Sequence, residues 1–196
     1  MEKFGIINPK FLPLSCRLKP NGKARLIIDA SSPHLDPDKE VPPGTPISVN
    51  AGIDVREFPT RMKTFRHLNE ILLEAGPGCR FQKLDWSSAY KHLAVHLEDL
   101  RLQCIIWGGK VFIESQLIFG RTSSPFLFLI AAAVFIEMAR HMTNREPYWT
   151  PSCLDDHIPV EKHLENILEE YERTYRWLCK EGGVHLADED IENIGT

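Results

Sequence analysis

Apolar and polar positions alternate over residues 12–18, a mostly apolar run follows over 24–29, and Lys19-Pro20-Asn21-Gly22 separates the two. Asn-Gly supplies positive φ cheaply, so the pattern predicts a β-hairpin across 11–30. The next stretch, 31–59, is rich in Pro, Asp and Gly and is expected to be an extended loop, long enough for a functional excursion or a mobile flap. Phe65, Leu68, Ile71 and Leu72 then fall at helical spacing over 64–74, and Gly76-Pro77-Gly78 ends that helix. Residues 80–86 alternate as a strand that runs into the small polar turn Ser87-Ser88. A second hairpin is expected from 102–107 and 110–116 around Gly108-Gly109. A long apolar helix should cover 123–142, opening on Ser-Ser-Pro. A short strand over 149–154 delivers Asp155-Asp156, and an amphipathic helix over 159–180 turns Leu164, Ile167, Leu168, Tyr171, Tyr175 and Leu178 inward. Antiparallel strands with interspersed helices make the class α+β.

Composition fits a folded chain, with 43% apolar and 26% charged residues over 196 positions. The strongest apolar stretch, 126–133, is followed by Glu137 and Arg140, so no bilayer crossing and no membrane partner are expected. The first ten residues lack the apolar core of a secretory signal, and the five cysteines have no CxxC spacing. They are expected to be free thiols of an intracellular protein. A net charge of −4 does not favour a polyanion partner, but its distribution does. Lys3, Lys10, Arg17, Lys19, Lys23 and Arg25 cluster near the N-terminus against Glu2 alone, whereas 161–192 is strongly acidic.

Two acidic strand ends carry the candidate chemistry. Asp85 closes one predicted strand and Asp155-Asp156 follow another. Brought side by side, they would offer carboxylate oxygens to hard divalent cations such as magnesium, which phosphoryl transfer uses to bridge phosphates and the attacking oxygen. Taken singly, each has a plainer use: Asp85 as a helix cap and Asp155-Asp156 as a turn.

The neighbours of these acids change that balance. Phe81-Gln-Lys-Leu-Asp85-Trp-Ser-Ser-Ala-Tyr90 resembles the first catalytic motif of reverse transcriptases, in which an Asp precedes an aromatic by five positions. Leu117-Ile-Phe-Gly120-Arg-Thr-Ser-Ser124-Pro-Phe126 resembles the next motif, and Cys153-Leu-Asp155-Asp156-His resembles the Tyr-x-Asp-Asp box. Lys19-Pro-Asn-Gly-Lys-Ala-Arg25-Leu-Ile-Ile-Asp29 looks like the fingers hairpin that holds an incoming triphosphate. Ser48-Val-Asn50-Ala-Gly-Ile, Gly76-Pro-Gly78 and Val95-His-Leu-Glu-Asp99 bring the resemblance closest to the polymerase of DIRS-type retrotransposons.

That resemblance implies a fingers-palm, right-hand architecture, with a fingers-like region over 1–78 and a palm over 79–196, its antiparallel sheet backed by helices. It implies an RNA-directed DNA polymerase that joins a deoxynucleoside triphosphate (dNTP) to a primer on an RNA or DNA template, using two magnesium ions or manganese. Asp85, Asp155 and Asp156 would be the catalytic metal ligands, with Asp156 the weaker one. Lys19 and Arg25 would hold the triphosphate, Tyr90 would exclude a 2′-hydroxyl, and Gly120 with Ser124 would form the turn on which template and nucleotide rest. Without the family, Tyr90 reads equally well as a core aromatic, and Lys19 and Arg25 as a solvated hairpin tip.

Three positions depart from the pattern. Cys153 replaces the usual aromatic, Asp190 stands about where a lysine is expected, and the chain stops about where a primer-gripping hairpin would begin, so no thumb is expected. Two other readings therefore stand beside the polymerase: a non-catalytic retroelement remnant that acts as a binding module, and a metal-dependent nuclease using the same acids. The histidines form no metal box, and the tryptophans are expected to be core residues.

Overall fold

The structure is a computed structural model that describes residues 7–20, 22–36, 38–143, 147, 152–153 (backbone alone) and 156–187. Short antiparallel sheets alternate with helices, as the α+β expectation requires. The chain forms two compact units, one from residues up to Pro59 with Tyr90–Ser124, the other from Thr60–Ala89 with Pro125 onward.

The first unit holds both predicted hairpins. Strands β1 (Leu14–Leu18) and β2 (Ala24–Ile28) pair in antiparallel register, Arg17 opposite Arg25 and Leu14 opposite Ile28. Gly22, at φ 77°, returns its N–H to the Lys19 carbonyl, the turn the sequence called for. Strands β5 (Cys104–Trp107) and β6 (Lys110–Ile113) meet at Gly108 and Gly109, both at positive φ, as a two-residue primed turn demands. Trp107, expected in the core, is instead exposed at that turn. Leu12, Ala30, Val49 and Ile118 make a buried cluster against which Ile28 and Leu102 pack. The 31–59 loop is not a loose flap throughout: Val49 is part of that cluster, and single 3-10 turns form at Asn50–Gly52 and Val55–Glu57.

In the second unit, helix α1 (Phe65–Ala75) starts on a Thr64 capping box with His67 and stops at Gly76, at φ 87°. The strand expected over 80–86 is interrupted. Strand β3 (Arg80–Phe81) pairs with β9 (Val160–Glu161), and β4 (Leu84–Asp85) pairs with β8 (Asp156–His157), which also pairs with β7 (Ser152–Cys153). One register runs through both ladders, and the break faces Pro159, which has no N–H to donate. The same pairing corrects the last helix. Residues 160–161 are strand, and α3 runs only over Leu168–Glu181, while Leu164 is exposed at positive φ rather than inward.

Helix α2 (Ser124–Met142) forms as expected. By length and composition alone its 19 residues are apolar enough to cross a bilayer, contrary to the reading of the sequence; here Phe128, Ala132, Ile136 and Ala139 face the core. Trp86 lies edge-on to Phe128 and to Phe135, each at 5.2 Å, and its indole donates to the Tyr175 hydroxyl at 2.7 Å. Each such aromatic pair adds about 0.5–1.5 kcal/mol beyond area burial. Trp177 is half exposed, and Trp149 lies outside the described residues.

Burial pushes the Cys179 thiol up to about 12 and raises that of Cys104, whereas Cys16 is exposed. Iodoacetamide at pH 8 is therefore expected to alkylate Cys16 in the native protein and Cys179 only after unfolding, because the thiolate is the nucleophile. Rapid native labelling of Cys179, read by peptide mass spectrometry, would contradict the packing of α3.

Candidate active site

The carboxylates come together through strand register. Asp85 on β4 and Asp156 on β8 are direct cross-strand partners. Side chains opposite one another in an antiparallel pair share a face, with Cβ atoms about 4.5–5.5 Å apart. The neighbouring pair, Leu84 and His157, therefore points to the other face, and both are buried while the two acids are only half buried. Asp156 is thus a strand residue, not part of the turn the sequence suggested. Asp155 lies outside the described residues.

The buried face holds those strands in place. His157 Nε2 meets the Tyr171 hydroxyl at 2.8 Å, the Tyr171 and Tyr175 rings stack along α3, and Tyr175 receives the Trp86 indole. Trp86 follows Asp85 and His157 follows Asp156, so each acid has a neighbour held by the Tyr171–Tyr175 pair on α3, Trp86 through Tyr175 and His157 through Tyr171. The main-chain carbonyl of Asp85 also accepts from Ala187 N at 2.8 Å.

The donor set suits a hard cation, since two half-buried carboxylates on one sheet face offer oxygens alone. Lys83, two residues before Asp85 and hence on the same face, already places its ammonium 3.0 Å from Asp156 Oδ1. The face attracts positive charge. Among the described residues no group of three or more His, Cys, Asp or Glu side chains is drawn together at metal-binding distance.

The other predicted site residues belong to the first unit. Lys19 and Arg25 are exposed on the β1–β2 hairpin, and the Arg25 guanidinium lies over the Phe119 ring, 5.8 Å from its centroid. Register adds Arg17, directly opposite Arg25, so the two cations share one face. Like charges directly opposite repel, so the pair is better satisfied with an anion than without one. The sequence showed Arg17 as part of a basic cluster but could not show its pairing.

Tyr90 is 3% exposed and packs against Phe119, ring centroids 4.5 Å apart and ring planes inclined by 50°. The ring presented to solvent is therefore Phe119, at 47% exposure, a residue that the sequence reading passed over although it directly precedes Gly120. Gly120 sits at φ 93°, and a Cβ there would come within 3.4 Å of the Ile28 carbonyl, so this turn approaches the end of β2 closely. Ser124 is fully buried, so its contribution is to the turn itself, through its N–H bond to the Arg121 carbonyl at 3.1 Å.

No protein-family model and no curated protein matches the chain. Solved structures do. The native protease-reverse transcriptase of prototype foamy virus superposes with a TM-score of 0.59 at 17% identity, over 93% of this chain and 21% of that one. The foamy viral enzyme in complex with double-stranded DNA gives 0.66 at 16% identity, over 95% and 28%. Its complex with an RNA/DNA hybrid gives 0.60 at 14% identity, over 92% and 21%. The chain thus spans about a quarter of these neighbours' length, and at such identities the likeness is one of fold. That fold, mixed helices and small antiparallel sheets followed almost end to end, is reverse transcriptase-like.

Proposed function

We propose that this chain is the fingers and palm of an RNA-directed DNA polymerase, which joins dNTPs to a primer 3′-hydroxyl on an RNA or DNA template. The observation that carries the reading is the pairing of Asp85 with Asp156 on one sheet face, within a reverse transcriptase-like fold. Binding of a primed template is supported by the foamy viral neighbours, whose structures include double-stranded DNA and an RNA/DNA hybrid. A retrotransposon origin of the DIRS type rests on the motifs around Asn50, Gly76 and Val95.

In this reading Asp85, Asp155 and Asp156 hold two magnesium ions, or manganese. Bound there, the ions would supply charge stabilisation for phosphoryl transfer. The protein's own work is positioning. Arg25, braced on Phe119, and Lys19 hold the triphosphate, with Arg17 adding charge beside Arg25. Tyr90 backs Phe119, so the pair together forms the wall that a 2′-hydroxyl would meet. Gly120 lets backbone approach the nucleotide.

Loss of Arg25 removes charge-assisted hydrogen bonds worth about 1.5–3 kcal/mol. Arg25→Ala is expected to raise the KM for dNTP roughly 10- to 100-fold, and Arg25→Lys to recover part of it, because an ammonium lacks the planar fork and stacks poorly on Phe119. An unchanged KM would remove Arg25 from the site.

Single-nucleotide incorporation tests the function. Opposite a template uridine, dATP with magnesium should extend the primer by one residue, and ATP or dCTP should not. Incorporation indifferent to the template base would contradict the proposal, and so would no incorporation by the folded chain. Binding of primed template without synthesis would favour the non-catalytic module instead.

A further inference from the structure

Asn50 lies in the 31–59 loop, a part of the chain to which the polymerase reading gives no role. Its side chain spends both donors and one acceptor position on groups distant in sequence. Nδ2 donates to the Ser31 hydroxyl at 2.8 Å and to the Gly120 carbonyl at 2.6 Å, and Oδ1 accepts from Thr122 N at 2.9 Å. Its own N–H donates to the Ala30 carbonyl at 3.1 Å. One residue therefore joins the exit of β2 to both sides of the Gly120 turn, across 70 residues of sequence.

The latch is rigidly founded. Val49 precedes Asn50 and is buried with Ala30 and Ile118, the residues next to the two segments it joins. Ser48, also buried, accepts from Ala51 N at 3.1 Å and fixes the backbone on the other side. The segments so joined are those that carry the nucleotide residues: Arg25 on β2, and Phe119 with Gly120 at the turn. Their separation is small, since a Cβ at Gly120 would touch the Ile28 carbonyl at 3.4 Å.

We infer that Asn50 is a positioning residue for nucleotide binding, fixing the Gly120 turn against β2 so that Arg25 and Phe119 meet one triphosphate-bearing ligand. The inference rests on the nucleotide-binding reading of that turn. Only an amide side chain of this length meets all three partners. Aspartate keeps the acceptor for Thr122 N but turns a carboxylate oxygen toward the Gly120 carbonyl, and alanine removes all three bonds.

The test is binding of a fluorescent dATP analogue with magnesium to the full chain, together with hydrogen exchange over residues 118–124. Asn50→Ala and Asn50→Asp should each bind roughly tenfold more weakly, about 1.4 kcal/mol of binding lost with the positioning of the turn. The Thr122 amide should exchange faster in Asn50→Ala, while exchange in β5 and β6 stays as in the wild type. A purely structural role would lower the melting temperature and leave the affinity of the folded protein unchanged. Wild-type binding with equal affinity in both variants would overturn the inference and leave the polymerase reading standing. No binding by the wild type would overturn both, so the wild-type signal separates the two failures.

Discussion

Glu161→Ala is expected to lower stability by about 3 kcal/mol. Glu161 is fully buried at the end of β9, and one carboxylate oxygen accepts from the N–H groups of Ile167 at 2.5 Å and Leu168 at 2.9 Å. It thereby satisfies orphan donors at the start of α3, as a cap would, from outside the helix. The other oxygen pairs with Arg80 on β3. Removing the carboxylate strands two buried donors and unpairs a guanidinium, although Arg80 is half exposed and keeps Asn166, which holds the figure at the lower end for a broken buried pair. At about 2–4 °C per kcal/mol for a chain of this size, the melting temperature should fall roughly 6–12 °C. Glu161→Gln, which keeps an acceptor, should cost less. Thermal unfolding followed by circular dichroism decides it, and a shift of under about 2 °C would show that the α3 start is capped some other way.

Asp85→Asn is expected to act on rate and to spare the fold. The amide is isosteric with the acid and Asp85 is only partly buried, so its melting temperature should stay within about 2 °C of wild type. Metal ions contribute several kcal/mol of transition-state stabilisation, and about 1.4 kcal/mol corresponds to tenfold, so loss of a ligand should slow incorporation roughly a thousandfold. Asp156→Asn should slow it less if Asp156 is the weaker ligand, and it also releases Lys83. Equal incorporation by wild type and Asp85→Asn would exclude this sheet face as the catalytic centre. The two variants separate cleanly: Glu161→Ala changes how much protein is folded, and Asp85→Asn changes what the folded protein does.

What the sequence made legible was local. Both hairpins are written in turn chemistry, Asn21-Gly22 and Gly108-Gly109, and α2 in the apolar run over 125–136. The pairing of Asp85 with Asp156 was foreseeable only through motif order, since the sequence places both acids near strand ends but not in register. The start of helix α3 was misplaced by nine residues because 159–167 has helical periodicity, whereas β3 recruits Val160 and Glu161 into a ladder. Such pairing is tertiary and leaves no local trace. The burial of Tyr90 beneath Phe119 and the grip of Asn50 on the Gly120 turn are of the same kind: both depend on partners far away in sequence or on which ring faces solvent. The basic cluster was visible, but its cross-strand order, Arg17 against Arg25, needed the register.

The most direct measurement is extension of a DNA primer on an RNA template by the purified chain with magnesium and all four dNTPs, followed by sequencing of the product. DNA complementary to the template is expected, abolished by EDTA and by the paired substitution Asp85→Asn, Asp156→Asn. A folded wild-type chain that yields no product, or product from the doubly substituted chain at the wild-type rate, would contradict it.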